Sequence, residues 1–585
     1  MTSRGIHRNK TMRKQTRWLA ACIVVGLLIV SLTTPVALAS RDFVKTETQT
    51  QNESDVCDFN KPEWREEQTI AGVHIQEDRS CHPDNPHVIA AVTNGTNNVP
   101  QDVLMESALS RDAVRKHTDR DNDGDPDVIE ITLEVHGINE FFQSVAVRGQ
   151  DLALDQPTVT REILPGVEPA FWTFAPKTRG MIRENTKAAQ LVQLPTPPIR
   201  VEQGDTVRVT LENTHYFPHT IHFHGTDHPY EVNGSGNDGV PQTSEEPVLP
   251  GESRTYEFTP RQPGTMFYHC HVVPDVHILM GLNGLFVIEE NQSNNTVQTF
   301  NPGAGKVRHP SAAVSEEYTA EYDLQYQEID MDLHTISKEN NDPRVVAKQM
   351  NRNYDKAEAD PDYFLLNGKS FPFTLRESLV IVEPGEQYRL RMLNGGSETI
   401  SLHTHGHKVQ VEAYDGVEVT DGQEITRDVV TMTAAQRVDL TLNTSNDGLH
   451  SYSEGVWFMH DHREQSVTND GIGPGGNINM IVYKSYLAKN GIPETNTDLN
   501  RYFSEDFYEG EVPMWSHLDS EKLGEPNESN SDSNRERSQV HEHASAQDES
   551  HGKSVLTGTT LHSFVIGLLL GTLLLSIAVR TKEGQ

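Results

Sequence analysis

Residues 198–213 of the chain read PIRVEQGDTVRVTLEN, and residues 378–394 read SLVIVEPGEQYRLRMLN. In both stretches, apolar and polar side chains alternate on either side of a glycine-containing turn, which predicts two short strands that each bury one face. GESRTYEFTP and GLFVIEE follow the first stretch, and QRVDLTLN and NINMIVY follow the second, so the same order of strands occurs twice. This internal repeat predicts an all-β chain with two similar β-sandwiches in tandem.

The repeat also sets the expected domain boundaries. The chain has 585 residues, of which 35% are hydrophobic, and this is long enough for more than one core. We place the first sandwich at residues 128–300 and the second at residues 301–490. A polar N-terminal extension is expected at 40–127.

Both ends of the chain predict export and attachment to a membrane. An apolar run at 18–32 follows a basic segment and precedes Ala37-Leu38-Ala39, which predicts a signal peptide at 1–39, with an uncleaved anchor as the alternative. Residues 561–579 lack a full charge, and Arg580 follows them, so we expect a transmembrane anchor at 554–580 and a cytoplasmic tail at 581–585. The rest of the chain would then lie outside the cell, as a glycoprotein.

A polar linker at 491–553 is expected to join the second sandwich to the anchor. Its residues 524–552 carry almost no large apolar side chains, which is typical of a flexible stalk. Three stalk histidines fit a metal site or, more simply, a solvated linker: His541, His543 and His551.

The charge of the chain narrows its partners and its surroundings. There are 85 acidic against 49 basic side chains, a net charge of −36, which disfavours nucleic acid as a partner. No lysine occurs between Lys187 and Lys306. Surface carboxylates in place of lysines favour a protein that stays soluble in high salt, as in a halophilic archaeon, and an ordinary acidic secreted protein is the alternative.

The N-terminal extension contains Cys57 and Cys81, and outside the cell such a pair favours a disulfide over two reactive thiols. Residues 101–117 have a helical composition and lead into DRDNDGDPDVIE at 119–130. That stretch has the spacing of a helix–loop–helix calcium loop, but it contains Pro126 and runs into a strand-like segment. Bound calcium and an acidic surface turn are therefore both open, and the candidate ligands are Asp119, Asp121, Asp123 and Glu130.

Histidines form four His-x-His pairs, two in each repeat. The first repeat contains HTIHFHG from residue 219 and YHCHVVPDVHILMG from residue 268, and the second contains LHTHGH from 402 and MHDH from 459. On a strand, residues i and i+2 point to the same side, so each pair aims two imidazoles at one place. Eight imidazoles exceed what one structural zinc ion uses and predict a site for several metal ions. The pairs are His222 and His224, His269 and His271, His403 and His405, and His460 and His462.

The middle residue of the second pair is Cys270, whose side chain on a strand points away from the flanking histidines. A thiolate, two imidazoles and a weak thioether form the donor set of a blue-copper electron-transfer site. The side chains available to complete that set are His219, His277 and Met280. The covalent path from Cys270 to its neighbours would join this site to the histidine cluster.

At these residues the chain resembles the multicopper oxidase family, in particular its two-domain, laccase-like members with cupredoxin domains. The matching motifs are HxxHxHG, HCHxxxxxHxxM and two later HxH pairs, and the resemblance covers residues 128–485, including PDYFLLNGK at 361–369. It implies that the two sandwiches are cupredoxin-like Greek-key domains. It further implies four coppers for each active unit, held by ligands that are assigned residue by residue.

The type 1 copper is implied at His219, Cys270, His277 and Met280. The type 2 copper is implied at His222 and His403. The type 3 pair is implied at His224, His269, His271, His405, His460 and His462. Of these residues, Cys270, His269 and His271 are expected to carry electrons from the type 1 copper to the cluster.

The sequence departs from the family pattern in the second repeat and in the type 1 loop. Asp461 occupies the position where a type 1 site needs a cysteine, so only the first domain should hold blue copper. His277 follows Cys270 by seven positions, whereas five are usual in three-domain laccases, so Met280 is either the axial ligand or a core methionine beside the site. Three further histidines near the motifs fit hydrogen-bonding or surface roles: His215, His228 and His407.

The resemblance implies one-electron oxidation of a reducing substrate, a phenol, another organic donor or a metal ion, coupled to four-electron reduction of O₂ to water. It also implies a homotrimer in which each trinuclear site lies between two chains. Asp227 and Asp461 are candidate proton donors by their proximity in sequence. Two alternatives remain, a copper-containing nitrite reductase and a copper-binding or electron-transfer protein without catalysis.

Overall fold

In a computed structural model of the chain, the described residues are 68–70, 73–75 and 110–508, without 111, 125, 141–144, 148–149, 153–158, 179–191, 294–296, 298, 302–303, 308–317, 341 and 490. The predicted signal peptide, the Cys57 and Cys81 pair, the three stalk histidines and the predicted anchor lie outside these residues. No helix in the described part of the chain is long and apolar enough to cross a membrane.

The first β-sandwich consists of two sheets. Sheet I has the order β13-β9-β4-β3, with β7 also paired to β4. Its strands are β3 (Val114–His117), β4 (Val128–Ile138), β7 (Phe171–Pro176), β9 (Thr206–Glu212) and β13 (Ser253–Phe258). Sheet II has the order β10-β14-β15-β8. Its strands are β8 (Ile199–Glu202), β10 (His222–His224), β14 (Gly264–His269) and β15 (Asn283–Glu289).

The second β-sandwich also consists of two sheets. Sheet III has the order β16-β17-β20-β26-β22-β23, with β18 and β24 attached at its side. Its strands are β16 (Gly305–Lys306), β17 (Ala320–Ile329), β18 (Tyr363–Leu366), β20 (Gln387–Asn394), β22 (Val409–Tyr414), β23 (Val417–Glu418), β24 (Ile425–Arg427) and β26 (Arg437–Asn443). Sheet IV has the order β19-β28-β27-β21-β25. Its strands are β19 (Val380–Val382), β21 (Ile400–Thr404), β25 (Val429–Met432), β27 (Val456–Asp461) and β28 (Asn479–Tyr483).

Short hairpins and helices complete the described elements. The hairpins are β1 (Gln68–Ile70) with β2 (Val73–Ile75), β5 (Val145–Val147) with β6 (Gln150–Leu152), and β11 (Glu231–Val232) with β12 (Ser235–Gly236). The α-helices are α1 (Pro274–His277), α2 (Met331–Glu339), α3 (Pro343–Lys348), α4 (Thr374–Glu377) and α5 (Glu505–Tyr508). A π-helical turn covers Gln349–Asn353, and 3₁₀ turns cover Lys356–Glu358, Glu464–Val467, Lys484–Tyr486 and Leu499–Phe503. Aspartates cap α2 and α3, because Asp330 and Asp342 accept hydrogen bonds from the first-turn N–H groups of Asp332 and Arg344.

The two sandwiches share their strand pairings. In the first, β4 is parallel to β9 and β8 is parallel to β15. In the second, β17 is parallel to β20 and β19 is parallel to β28. The strands that carry the histidine pairs are antiparallel in both, β10 with β14 and β21 with β27. The prediction of two similar β-sandwiches in tandem is therefore confirmed.

The predicted alternation of strand residues is visible on β9. Val207, Val209 and Leu211 are fully buried in the core of the first sandwich, while Arg208 and Thr210 lie between them half-buried. The pattern that predicted the strands thus also selects the face that builds the core.

The two sandwiches meet through sheets II and III. On β17, Tyr322 and Leu324 belong to the core of the second sandwich, and Asp323 points the other way, towards Arg200 on β8. Phe267 and Leu285 of sheet II likewise pack on Leu393 of sheet III. The four sheets therefore lie in the order I, II, III, IV.

Buried ion pairs join the facing surfaces of sheets II and III. The guanidinium of Arg200 donates to Asp323 at 2.6 and 2.7 Å and to Glu321 at 2.8 Å. Arg391 faces Glu289 at 3.3 Å and Asp439 at 3.4 Å. Because unpaired charges are costly inside a protein, these pairs fix how the sandwiches dock.

Three boundaries differ from the expectations. Val114–His117, inside the stretch with helical composition, is strand β3, because its pairing with β4 buries Ala113 and Val114 in the core. The first sandwich therefore includes residues before 128. The expected linker is ordered as far as residue 508, because Phe503 and Phe507 are buried.

Candidate metal centres

The first candidate centre brings together Cys270, His219 and His277. The Sγ atom of Cys270 lies 3.6 Å from Nδ1 of His219 and 3.3 Å from Nδ1 of His277. Relative exposure is 0% for Cys270 and His219 and 4% for His277. One thiol and two imidazole nitrogens thus meet in a buried position, which fits the donor set of a type 1 copper.

The seven-residue spacing between Cys270 and His277 is closed by a single helical turn. Val273 has a left-handed backbone with φ of 45°, after which α1 turns the chain back towards Cys270. Met280 follows α1, is fully buried, and receives a hydrogen bond at its carbonyl from the N–H of Trp172 at 2.7 Å. The role of Met280 as axial ligand stays a prediction.

Burial keeps the donors of this centre uncharged before any metal binds. It lowers the pKa of His277 to about 3, with a further contribution from His215, and lowers the pKa of His219 well below its ordinary value. It raises the pKa of the Cys270 thiol to about 12. Two neutral imidazoles can therefore bind a metal directly, while the thiol must release a proton to do so.

The second candidate centre is formed by four histidines of the first sandwich. His222 on β10 lies opposite His269 on β14 in the strand register. Their ring centroids are 5.3 Å apart, and His224 and His271 lie 5.9 and 5.7 Å from His269. We refer to these four residues as the first histidine cluster.

The third candidate centre repeats that arrangement in the second sandwich. His403 on β21 lies opposite His460 on β27. The Nε2 atoms of His405 and His460 are 3.3 Å apart, and the rings of His460 and His462 are 5.4 Å apart. We refer to these four residues as the second histidine cluster.

Backbone carbonyls set the tautomers of the central histidines in both clusters. Nδ1 of His222 lies 2.7 Å from the carbonyl of Asp238, and Nδ1 of His403 lies 3.0 Å from that of Asp428. Nδ1 of His269 and of His460 each lie 3.0 Å from the carbonyl of the next residue. Nδ1–H donates in each case, so Nε2 is left for a metal.

The two clusters lie on different layers of the molecule. Phe223 and Tyr268, which alternate with the histidines on β10 and β14, belong to the core between sheets I and II. Leu402 and Met459 belong to the core between sheets III and IV, so His403 and His460 point away from sheet III. The first cluster therefore lies on the face of sheet II that is turned towards the second sandwich, and the second cluster lies on the outer face of sheet IV.

Gly225 ends the HFHG motif at a position whose backbone favours glycine. Its φ is +84°, and a Cβ atom there would lie 2.6 Å from Nη2 of Arg437 in the second sandwich. Burial, followed by the charge of this arginine, lowers the pKa of the neighbouring His224 to about 4. The second sandwich thus shapes the loop that carries a first-cluster histidine.

Asp238 is a carboxylate beside the first cluster that the sequence reasoning missed. Its Oδ1 atom lies 3.3 Å from Nδ1 of His222 and 3.5 Å from Nε2 of His228. The hairpin of β11 and β12 brings it back to the cluster, and no short motif signals that return. A cavity of about 470 Å³ begins at His228 and is also lined by Asp227, Glu257 and Arg261.

The two predicted proton donors have other partners, although Asp227 also lines the cavity at His228. Asp227 forms a surface ion pair with Arg261. Asp461 is buried and accepts hydrogen bonds from the N–H groups of Ser401 at 2.8 Å and Arg463 at 3.2 Å, so it faces the interior of the second sandwich.

The three additional histidines near the motifs all have hydrogen-bonding or electrostatic partners. Nδ1 of His215 lies 2.8 Å from Nε2 of His219, and Nε2 of His407 lies 3.0 Å from the hydroxyl of Tyr483. His228 faces Asp238, as described above.

The predicted calcium ligands do not assemble as a helix–loop–helix site. The loop joins strands β3 and β4, and the carboxylates that meet are those of Asp119, Asp121 and Asp127. Glu130 lies on β4 and faces Arg208 at 3.4 Å and Arg115 at 3.5 Å. Asp123 is not part of the group that meets, so two of the four predicted ligands are missing from it.

Two cupredoxin-like sandwiches with a cysteine–histidine centre and two histidine clusters are typical of a copper-binding protein with several metal sites. Two family profiles, both described as multicopper oxidase, match residues 180–293 and 337–472. Both matched regions belong to the multicopper oxidase family, whose members use copper at type 1, type 2 and type 3 sites.

Three curated relatives illustrate the similarity. An iron transport multicopper oxidase, FET3, of Gibberella zeae is 27% identical over 320 residues, which are 50% of this chain and 44% of the relative. An iron transport multicopper oxidase, fetC, of Epichloe festucae is 30% identical over 43% of this chain and 35% of the relative. A copper-containing nitrite reductase of Neisseria meningitidis serogroup B is 27% identical over 47% of this chain and 55% of the relative. The chain thus spans about half or less of the length of these relatives.

Proposed function

We propose that the chain is an oxidase that couples one-electron oxidation of a reducing substrate to the reduction of O₂ to water. Two features together carry this proposal. Cys270, which faces His219 and His277, lies in the chain between the cluster histidines His269 and His271. The pairing of His222 with His269 across two strands is repeated by His403 and His460 in the second sandwich. A protein that only stores copper needs no such duplication.

The chain's own residues provide an electron path. His219, Cys270, His277 and Met280 would hold the type 1 copper. Bound copper would supply the change between two valences that accepts single electrons and passes them on to O₂. Cys270 is covalently continuous with His269 and His271, which would hold the type 3 pair together with His224, His405, His460 and His462. His222 and His403 would hold the type 2 copper.

The second half of each trinuclear site would come from a second copy of the chain. The second cluster lies on the outer face of sheet IV, so sheets III and IV separate it from the first sandwich of its own chain. Apolar side chains around it are exposed to solvent, 38% for Phe458, 49% for Tyr452 and 55% for Leu449. Exposed apolar groups beside a half-complete metal site favour a protein interface, and a homotrimer of the two-domain type would close every site.

Asp238 is the residue that we infer holds a proton for the reduction of O₂. Its carboxylate contacts His222 and His228, and His228 also lines the cavity of about 470 Å³. Protons reaching the cavity would be held on Oδ1 of Asp238, next to a candidate type 2 ligand. This inference replaces the earlier candidates Asp227 and Asp461.

The donor and the location of the protein are also proposals. The iron transport oxidases and a rice laccase among the relatives support a metal ion or an organic donor. The sequence favours an exported protein that is held at the cell surface by its C-terminal segment.

The test is oxygen consumption by the purified, copper-reconstituted protein with a ferrous, a cuprous and a phenolic donor. We expect oxygen uptake with at least one donor and an intense blue absorption. Nitrite reduction without oxygen uptake would instead support the nitrite reductase alternative, which the complete set of eight cluster histidines disfavours. Blue colour with neither activity would show a protein limited to electron transfer.

A further inference from the structure

A chain of buried side chains extends from the candidate type 1 centre to a carboxylate. Nε2 of His219 lies 2.8 Å from Nδ1 of His215, and Nε2 of His215 lies 3.7 Å from Oε2 of Glu140. Relative exposure is 0% for His219, 4% for His215 and 8% for Glu140. Solvent is therefore largely excluded from the whole chain of groups.

The direction of hydrogen bonding along this chain follows from the metal site. Nδ1 of His219 faces the Cys270 thiol and must be free of a proton to bind copper. The proton of His219 then resides on Nε2 and is donated to Nδ1 of His215. His215 consequently carries its own proton on Nε2, which faces Oε2 of Glu140 at 3.7 Å as an electrostatic contact beyond hydrogen-bond distance.

Glu140 is held in place by two other donors. Its Oε1 atom accepts hydrogen bonds from Nε1–H of Trp172 at 2.7 Å and from the hydroxyl of Tyr216 at 2.6 Å. The ring of Trp172 also lies 5.0 Å from the rings of both His215 and His277. With Oε1 committed to Trp172 and Tyr216, Oε2 is the atom left to face His215.

We propose that Glu140 and His215 are positioning residues: His215 accepts the hydrogen bond that fixes the metal-binding tautomer of His219, and Glu140 holds a negative charge 3.7 Å from the other ring nitrogen of His215. The inference rests on the proposed type 1 copper at Cys270. A group that accepts a hydrogen bond from the non-ligating N–H of a metal-binding histidine orients the imidazole ring and makes its other nitrogen a stronger electron-pair donor to the metal. We refer to His219, His215 and Glu140 together as the relay. A nearby anion also stabilises oxidised copper relative to reduced copper, so the relay would lower the reduction potential of the site.

Glu140→Gln tests the relay because the amide has only one sensible orientation. Nε1–H of Trp172 can only donate, so the amide oxygen must stay on its side, and the amide NH₂ group must face His215. The positive edge of this NH₂ group would favour His215 with its proton on Nδ1 and not on Nε2, so Nε2 of His219 would have to accept. His219 would consequently carry its proton on Nδ1, the atom that faces copper.

The measurements are copper retention and the reduction potential of the blue site in the holoprotein. We expect E140Q to retain type 1 copper about 10- to 100-fold more weakly and to raise its reduction potential. His215→Gln should behave differently, because its amide oxygen can accept the proton of His219 without extending the chain to a charge. H215Q should therefore keep most of its copper but share the raised potential.

The matched control is Glu134→Gln. Glu134 is a buried carboxylate on β4 that faces Nε2 of His136 at 3.1 Å, so E134Q makes the same change beside another histidine. If E140Q and H215Q have the same copper retention and reduction potential as E134Q, the relay is refuted. If E140Q does not fold, the reduction potential of H215Q alone tests the relay. A wild-type protein that binds copper without blue absorption would instead refute the proposed type 1 site.

Discussion

The two histidine clusters have the same backbone frame but differ in the residue between their last two histidines. In the first sandwich, Cys270 turns inwards and meets His219 and His277. In the second, Asp461 turns inwards and meets the N–H groups of Ser401 and Arg463. Both sandwiches thus present four histidines on one face, and among the described residues the cysteine–histidine group lies on the other face of the first sandwich. We infer that the histidine cluster of a sandwich can form without a cysteine–histidine centre on the opposite face of the same sheet.

The largest expected effect comes from Cys270→Ser. Because Cys270 is the free thiol of the described chain, its loss should abolish the blue absorption and reduce donor oxidation to background. Absorption spectra and oxygen uptake of the copper-reconstituted variant provide the measurement. Asp461→Ser is the matched change in the second sandwich and should keep the blue colour. Equal loss in both variants would contradict the distinction between the two inward-facing positions.

His403→Ala should separate the blue absorption of the protein from its oxygen uptake. His403 lies in the second sandwich and has no part in the cysteine centre, so the blue absorption should remain while oxygen uptake falls to near background. Copper content should fall as well, since a proposed type 2 ligand is lost. Unchanged oxygen uptake would mean that the second cluster is not part of the oxygen site.

The pH dependence of copper binding should differ between the protein with the Cys270 thiol and the variant without it. Below a pKa of about 12, Cys270 is a thiol that must lose its proton to bind, so the apparent affinity of the type 1 site should rise about tenfold per pH unit. His277, with a pKa of about 3, is already neutral and should add nothing to this slope above that pH. Competition titrations of C270S and wild-type protein between pH 5 and 8 measure the difference, and a slope near zero in the wild type would contradict it.

The smallest expected effect comes from Asp461→Ala. The partly buried N–H groups of Ser401 and Arg463 would each lose an acceptor, which costs about 1 kcal/mol of unfolding free energy for each group. Denaturant unfolding of the metal-free protein provides the measurement. The blue spectrum should not change, and a lost or shifted blue band would show that the second sandwich influences the type 1 site.

The sequence alone predicted the parts of the molecule that depend on local pattern. Period-two alternation predicted the strands, and the i, i+2 spacing predicted which histidines share a face. The pairing of His222 with His269 also agrees with the motif order, because both lie on adjacent strands.

Features that depend on distant contacts could not be predicted in the same way. Strand β3 has a helical composition, and only the burial of Ala113 and Val114 against the sandwich makes it a strand. Asp238 and Glu140 approach the metal centres through folding of the chain between separate elements, without a motif of their own. Glu130 has the sequence spacing of a calcium ligand, but its strand directs it to two arginines.

The outward orientation of the second cluster makes the proposed oxygen site a shared property of neighbouring chains. A chain with a defect in the first cluster, such as His224→Ala, still offers an intact second cluster, and a His403→Ala chain offers the reverse. Reassembled together, two such inactive proteins would create some junctions at which both intact halves meet. Catalysis would then reappear in the mixture, and diluting the wild-type protein until its chains separate would abolish oxygen reduction while every chain kept its blue colour.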